Sequence, residues 1–99
     1  MVAVGQVPMQ ASLALESVPW GTRLALTCNY DGGGYQEPRW TSYSLVVRTH
    51  DGRAEQVATW RALPGRTMML DAATASRRGD IASVEVRTAD GEPVLKLTT

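Results

Sequence analysis

Ser42-Tyr43-Ser44-Leu45-Val46-Val47-Arg48-Thr49, then His50-Asp51-Gly52-Arg53, then Ala54-Glu55-Gln56-Val57-Ala58-Thr59-Trp60-Arg61-Ala62 follow one another without a break. In the first segment Tyr43, Leu45 and Val47 recur at every second position, the period of a strand with one buried face. The Asp51-Gly52 pair tolerates positive φ and is a favoured turn between antiparallel strands. Val57, Thr59 and Trp60 place β-forming residues on the far side of that turn. The stretch predicts a β-hairpin, and the rest of the chain repeats its pattern.

On the N-terminal side, Gln10 to Val18 alternates Ala11, Leu13 and Leu15 with Ser12, Ala14 and Glu16, which predicts a strand. Pro19-Trp20-Gly21-Thr22 reads as a turn. Arg23 to Asn29 alternates again, with Leu24, Leu26, Cys28 and Tyr30 on one face and Arg23, Thr27 and Asn29 on the other, so a second hairpin is expected. Between the hairpins, Asp31-Gly32-Gly33-Gly34-Tyr35-Gln36-Glu37-Pro38-Arg39 holds three glycines and a proline and predicts the longest surface loop.

On the C-terminal side, Leu63-Pro64-Gly65 turns the chain into a strand over Arg66 to Ala72, where Met68 and Leu70 oppose Thr67, Met69 and Asp71. Ala73 to Asp80 is alanine-rich and predicts one short helical turn at most, because Gly79 stops it. Ile81 to Thr88, with Val84 and Val86 inward and Glu85 and Arg87 outward, meets Pro93 to Thr98 across Ala89-Asp90-Gly91-Glu92 in a third hairpin. The expected fold is all-β, an antiparallel sandwich of about seven short strands in three hairpins. Residues 10–99 form its single domain, and residues 1–9 are expected to be a linker or an added tail. The strand order is left open by these patterns.

A chain of 99 residues can bury one core without staples. Its 43% apolar and 20% charged residues lack the signature of disorder. Ten Lys plus Arg balance ten Asp plus Glu, so no basic excess exists to neutralise phosphates, which argues against a nucleic-acid partner. The lone cysteine, Cys28, excludes an internal disulfide and every zinc pattern that needs several cysteines. No run approaches the roughly twenty apolar residues that span a bilayer, and the first eight residues lack the regions of a signal peptide.

Each residue with chemical potential has a stronger structural reading. His50 is the sole histidine and sits at a hairpin turn, with no serine or cysteine tied to it by spacing. Cys28 falls on the apolar face of its strand and is expected to be a buried hydrophobe rather than a reactive thiol. Arg78-Gly79-Asp80 spells a tripeptide that integrins read, and in a chain this rich in those residues chance accounts for it. The acidic residues occupy turns (Asp31, Asp51, Asp90, Glu92) or outward strand positions (Glu16, Glu85), so neither paired catalytic carboxylates nor a hard-metal cluster is expected. No catalytic, cofactor or metal residue is assigned. Trp20, Tyr35 and Trp40 lie in or beside loops, where such rings either plug the ends of a sandwich or stack on a ligand. Trp60, on a strand, is expected in the core.

Four segments carry a resemblance. They are Pro19-Trp20-Gly21-Thr22-Arg23-Leu24-Ala25-Leu26-Thr27-Cys28-Asn29-Tyr30, Tyr43-Ser44-Leu45-Val46-Val47-Arg48, Val57-Ala58-Thr59-Trp60-Arg61-Ala62-Leu63-Pro64-Gly65, and Ile81 to Thr88 followed by Gly91 and Val94-Leu95. In this order they resemble the C-terminal domain of bacterial zinc-finger-type, membrane-anchored anti-sigma factors, over most of the chain after Gln10. The resemblance implies a protein with a sigma-binding helical domain in the cytoplasm, one membrane crossing and a β domain outside. That outer domain receives a signal or partner before proteolysis frees the sigma factor. This chain is then expected to be the outer domain, on the extracytoplasmic face of the membrane, binding neither zinc nor a sigma factor itself. A stand-alone homologue is the other possibility for its extent.

Two functions follow: a non-enzymatic sensor that modulates an anti-sigma factor through a ligand or protein, or a generic binding sandwich that takes carbohydrate on Trp20, Tyr35 and Trp40. Trp20, Tyr35, Arg39 and Trp40 are the candidate contacts. The loop Asp31 to Arg39 is the expected landing place for a partner, since loops on a rigid scaffold carry function more often than strand faces.

Overall fold

The computed structural model describes residues 2–3, 9–30, 42–61 and 66–98. Its strands are β1 (Val2–Ala3), β2 (Met9–Val18), β3 (Gly21–Tyr30), β4 (Ser42–Thr49), β5 (Ala54–Arg61), β6 (Thr67–Thr74), β7 (Ile81–Thr88) and β8 (Pro93–Thr98), with a 3-10 turn at Arg78–Asp80. All pairings are antiparallel. One sheet runs β1-β8-β7-β4-β5 and the other β2-β3-β6. The three expected hairpins are present as β2/β3, β4/β5 and β7/β8. The chain changes sheet between β1 and β2, between β3 and β4, between β5 and β6, and between β6 and β7, and β7 and β3 become the central strands of the two sheets.

The core lies between the sheets. Leu24, Leu26 and Cys28 from β3 face Tyr43, Leu45 and Val47 from β4, Ile81, Val84 and Val86 from β7, and Val94 and Leu95 from β8. In β3 and β4 these are every second residue, so one period places them on the inner faces, while register shifts at Arg48/Thr49 and Val86/Arg87 bring Ile81 and the adjacent pair Val94 and Leu95 into the same core. Cys28 is 0% exposed, as its place on the apolar face predicts. Trp60 is half-buried against this cluster and stacks on Tyr43 with ring centroids 6.2 Å apart.

Four boundaries or faces differ from the sequence reading. The β2/β3 turn needs only Pro19 and Trp20, because Gly21 already pairs with Val18. Gly21 has φ +146, and a Cβ there would stand 2.1 Å from the Thr74 carbonyl oxygen, so no other residue fits at this crossing. β6 continues through Ala73 and Thr74, since the long strand β3 offers them partners at Arg23 and Thr22. Ladder hydrogen bonds outweigh the helical preference of Ala73. Val2–Ala3 forms a short strand on β8, too short to show any alternation.

Glu85, expected at an outward strand position, is only 6% exposed. It does lie on the outer face, opposite Val46, but β7 sits between β4 and β8 and its middle is roofed by neighbouring side chains. Arg87 places both Nε and Nη2 2.9 Å from Glu85 Oε2, and Arg48 Nε stands 4.0 Å from Oε1. Long arginine stems cover the carboxylate while their charged ends pair with it.

Candidate functional site

One end of the sandwich gathers the β2/β3 turn, the β4/β5 turn, the β6–β7 connection and the last residues of β8. Each strand is rigidly paired, so residues far apart in sequence meet here by topology alone. The β4/β5 turn is ordered by Asp51. Its Oδ1 accepts from the Thr49 hydroxyl and, at 3.3 Å, from the Arg53 backbone N–H, while Oδ2 accepts from Arg53 Nε at 3.0 Å. The Thr49 hydroxyl, with the Arg53 backbone N–H next in weight, holds the Asp51 carboxyl below the usual carboxylate range. Gly52, at φ +89, supplies the positive-φ turn position that the Asp-Gly pair predicts.

This turn is tied to its neighbours. The His50 N–H donates to the Asp80 carbonyl at 2.9 Å, linking it to the Arg78–Asp80 turn. From the other sheet, the Thr74 hydroxyl donates to Glu55 Oε1 at 2.6 Å and accepts from the Ser76 N–H at 3.2 Å. The buried Thr22 hydroxyl donates to the Ser76 carbonyl at 2.8 Å. Residues 74–76 are thus fastened to both sheets.

Three cavities open at this end. A polar one of about 710 Å³ is lined by His50, Asp51, Arg53, Glu55, Arg77 and Asp80 among others. Three carboxylates stand there with two guanidiniums and His50, and Asp51 and Glu55 already accept hydrogen bonds from within the domain. A groove of about 660 Å³ lies between the inner faces of β2 and β8, lined by Leu13, Leu15, Ile81 and Leu97 with His50, Arg78 and Thr98. A third, of about 460 Å³, is lined by Val18, Trp20, Arg77 and Arg78.

Of the four candidate contacts, the structure describes Trp20. It is 55% exposed at the tip of the β2/β3 turn. Tyr35, Arg39 and Trp40 lie outside the described residues, as does the loop Asp31 to Arg39. The residues that bracket them, Tyr30 and Ser42, end β3 and begin β4 at the opposite end of the sandwich from Trp20. Sequence reasoning missed Glu55, Thr74, Arg77 and Leu97 as lining residues. Only the alternation of Leu95 and Leu97 in β8 hinted at one of them. The others come from connections with no shared spacing.

His50 is exposed, at the position its turn predicts. Among the described residues no group of three or more His, Cys, Asp or Glu is placed to hold a metal ion. Among the same residues no helix is long and apolar enough to cross a membrane.

No family model and no solved structure matches the chain. It is similar to anti-sigma-L factor RslA of Mycobacterium tuberculosis, in strains H37Rv, CDC 1551 and Erdman, with 30% identity over 95 residues. The match takes in 96% of this chain and 37% of each relative, so the chain spans little more than a third of the length of the curated relatives it matches.

Proposed function

We infer that the chain is the extracytoplasmic regulatory domain of an anti-sigma factor, a non-enzymatic module that controls release of a sigma factor by binding a ligand or protein. The observation that supports this reading is the similarity to anti-sigma-L factor RslA along nearly the whole chain. A β-sandwich with balanced charge and binding cavities suits signal reception better than contact with a sigma factor. The sigma factor is held by another part of the full-length protein, and that protein's membrane segment anchors the domain. The signal acts only through a difference in its affinity for two arrangements of the domain.

The test is a reporter driven by the cognate sigma factor, with the full-length protein or a version lacking residues 10–99. Deletion is expected to change reporter output under the inducing condition while binding of the sigma factor persists. Identical output from both versions would refute the regulatory role, and failure of the full-length protein to repress any sigma factor would refute the family reading. Deleting Gly32 to Gln36 asks whether the partner lands on the 31–39 loop: unchanged signalling removes that loop from the mechanism.

A further inference from the structure

Where β2 turns into β3, Trp20 stands 55% exposed. The cavity beside it is lined by Arg77 and Arg78 and by no carboxylate, while Asp51, Glu55 and Asp80 line the polar cavity instead. Both arginines are exposed, and among the described residues neither joins an ion pair, the pairs being made by Arg23, Arg48, Arg53 and Arg87. Arg78 and Gly79 also line the groove of Leu13, Leu15 and Leu97, so the apolar groove adjoins the arginines. An exposed indole, two unpaired guanidiniums and an apolar groove thus meet at one end of the sandwich. This set matches the boundary of a bilayer, where indoles sit at headgroup level and arginines pair with lipid phosphates. Strand direction tells which way this end faces. β1 pairs antiparallel with β8, Val2 opposite Lys96 and Ala3 opposite Leu95, so β1 enters its sheet from the Thr98 end of β8. Thr98 pairs with Ser83 of β7, and the Arg78–Asp80 turn leads directly into β7. The chain therefore enters the sandwich at the end that carries Trp20, Arg77 and Arg78.

We propose that this end docks on the surface of the membrane that anchors the protein, with Trp20 at headgroup level and Arg77 and Arg78 on anionic lipid phosphates. The proposal rests on the anti-sigma reading, in which the membrane segment precedes this domain. The chain carries no net charge, so the attraction is local, and two arginines supply only a weak one. Tethering makes a weak contact sufficient. A domain anchored beside the bilayer meets it at high effective concentration, and a contact too weak for a free protein is then populated.

The test reconstitutes the full-length protein in vesicles of phosphatidylcholine alone or with about 30% phosphatidylglycerol, part of the phosphatidylcholine carrying bromine in its acyl chains. Bromine quenches an indole only at short range, and the difference between wild type and Trp20→Phe isolates Trp20. Strong quenching of Trp20 is expected in the anionic vesicles. In Arg77→Gln/Arg78→Gln it should fall to the level of neutral vesicles, as the ratio of docked to free domain drops about tenfold. Arg77→Lys/Arg78→Lys should restore it, since a lipid phosphate on a fluid surface needs the charge rather than the guanidinium fork. Both positions are exposed, and an unchanged urea midpoint shows that the variants fold. An unquenched Trp20 in anionic vesicles overturns the proposal, and so does equal quenching in neutral vesicles or in the glutamine variant. Quenching that lysine fails to restore, or that millimolar inorganic phosphate releases, also overturns it and assigns the arginines to a soluble anion. Repression of the reporter is measured on the same proteins. Quenching without repression would sink the anti-sigma reading and leave the docking standing, whereas repression with an unquenched Trp20 sinks the docking alone.

Discussion

Where β5 meets β6, the Thr74 hydroxyl reaches Glu55 at 2.6 Å and joins the two sheets directly; where β2 faces β8, Leu13, Leu15 and Leu97 stand half-buried around an open groove. The two sides of the sandwich share one core and differ in connectivity. β5 and β6 are consecutive in the chain, so their link draws the sheets together at small cost in chain entropy. β2 and β8 come from opposite ends of the sequence, and no short link spans them. The side of the consecutive strands is clasped, and the side left between distant strands holds the open groove.

That contrast can be broken at several points. The largest effect is expected beneath both sides, at Leu24, which is fully buried in the shared core. Leu24→Ala should cost about 2–5 kcal/mol by urea unfolding. Next comes the clasp. Thr74→Val leaves the Glu55 carboxylate without this donor and the Ser76 N–H without its acceptor, for about 1–3 kcal/mol. Leu97→Ala on the open side should cost about 1 kcal/mol in the isolated domain, since a half-buried leucine contributes roughly half its full transfer value. A loss at Leu97 as large as that at Leu24 would show that the groove is already closed, and the comparison would fail.

The smaller effects test the turns. Asp51 is held below its ordinary value in the folded state, so its contribution is complete above the usual carboxylate range and is lost as pH falls through the depressed folded value. Wild type should exceed Asp51→Asn in urea midpoint at about pH 6, with the gap closing as pH falls below the usual carboxylate range. A gap independent of pH would remove the carboxylate from the account. Trp20→Ala, at an exposed tip, should change stability by less than about 0.5 kcal/mol. A larger loss would mean that Trp20 plugs the sandwich end rather than standing free for a ligand.

Much of the fold was legible in the sequence. The period-two runs of Leu24, Leu26 and Cys28, and of Tyr43, Leu45 and Val47, point inward as read, because alternation is a property of the strand itself. Asp51-Gly52 and Gly91 mark turns for an equally local reason: both glycines take positive φ. Met69, opposed to Met68 and Leu70 in that reading, is 77% exposed. The candidate site was scarcely legible. Thr74 and Glu55 meet through pairing between strands, not through spacing along the chain, and Trp20 is separated from the 31–39 loop by the length of β3.

By itself the sequence determined that this chain is built of antiparallel strands, where most of them begin and end, and which side chains each presents to a core. Those properties depend on neighbours within a few residues, through backbone sterics and the alternation of side chains. The tertiary structure alone decided which strands share a sheet, that β1 joins β8, that Glu85 is buried between arginines, and that one side of the sandwich is clasped while the other holds a groove. These depend on contacts between residues distant in the chain, whose pairing is selected by the whole core and leaves no periodic mark on any one segment.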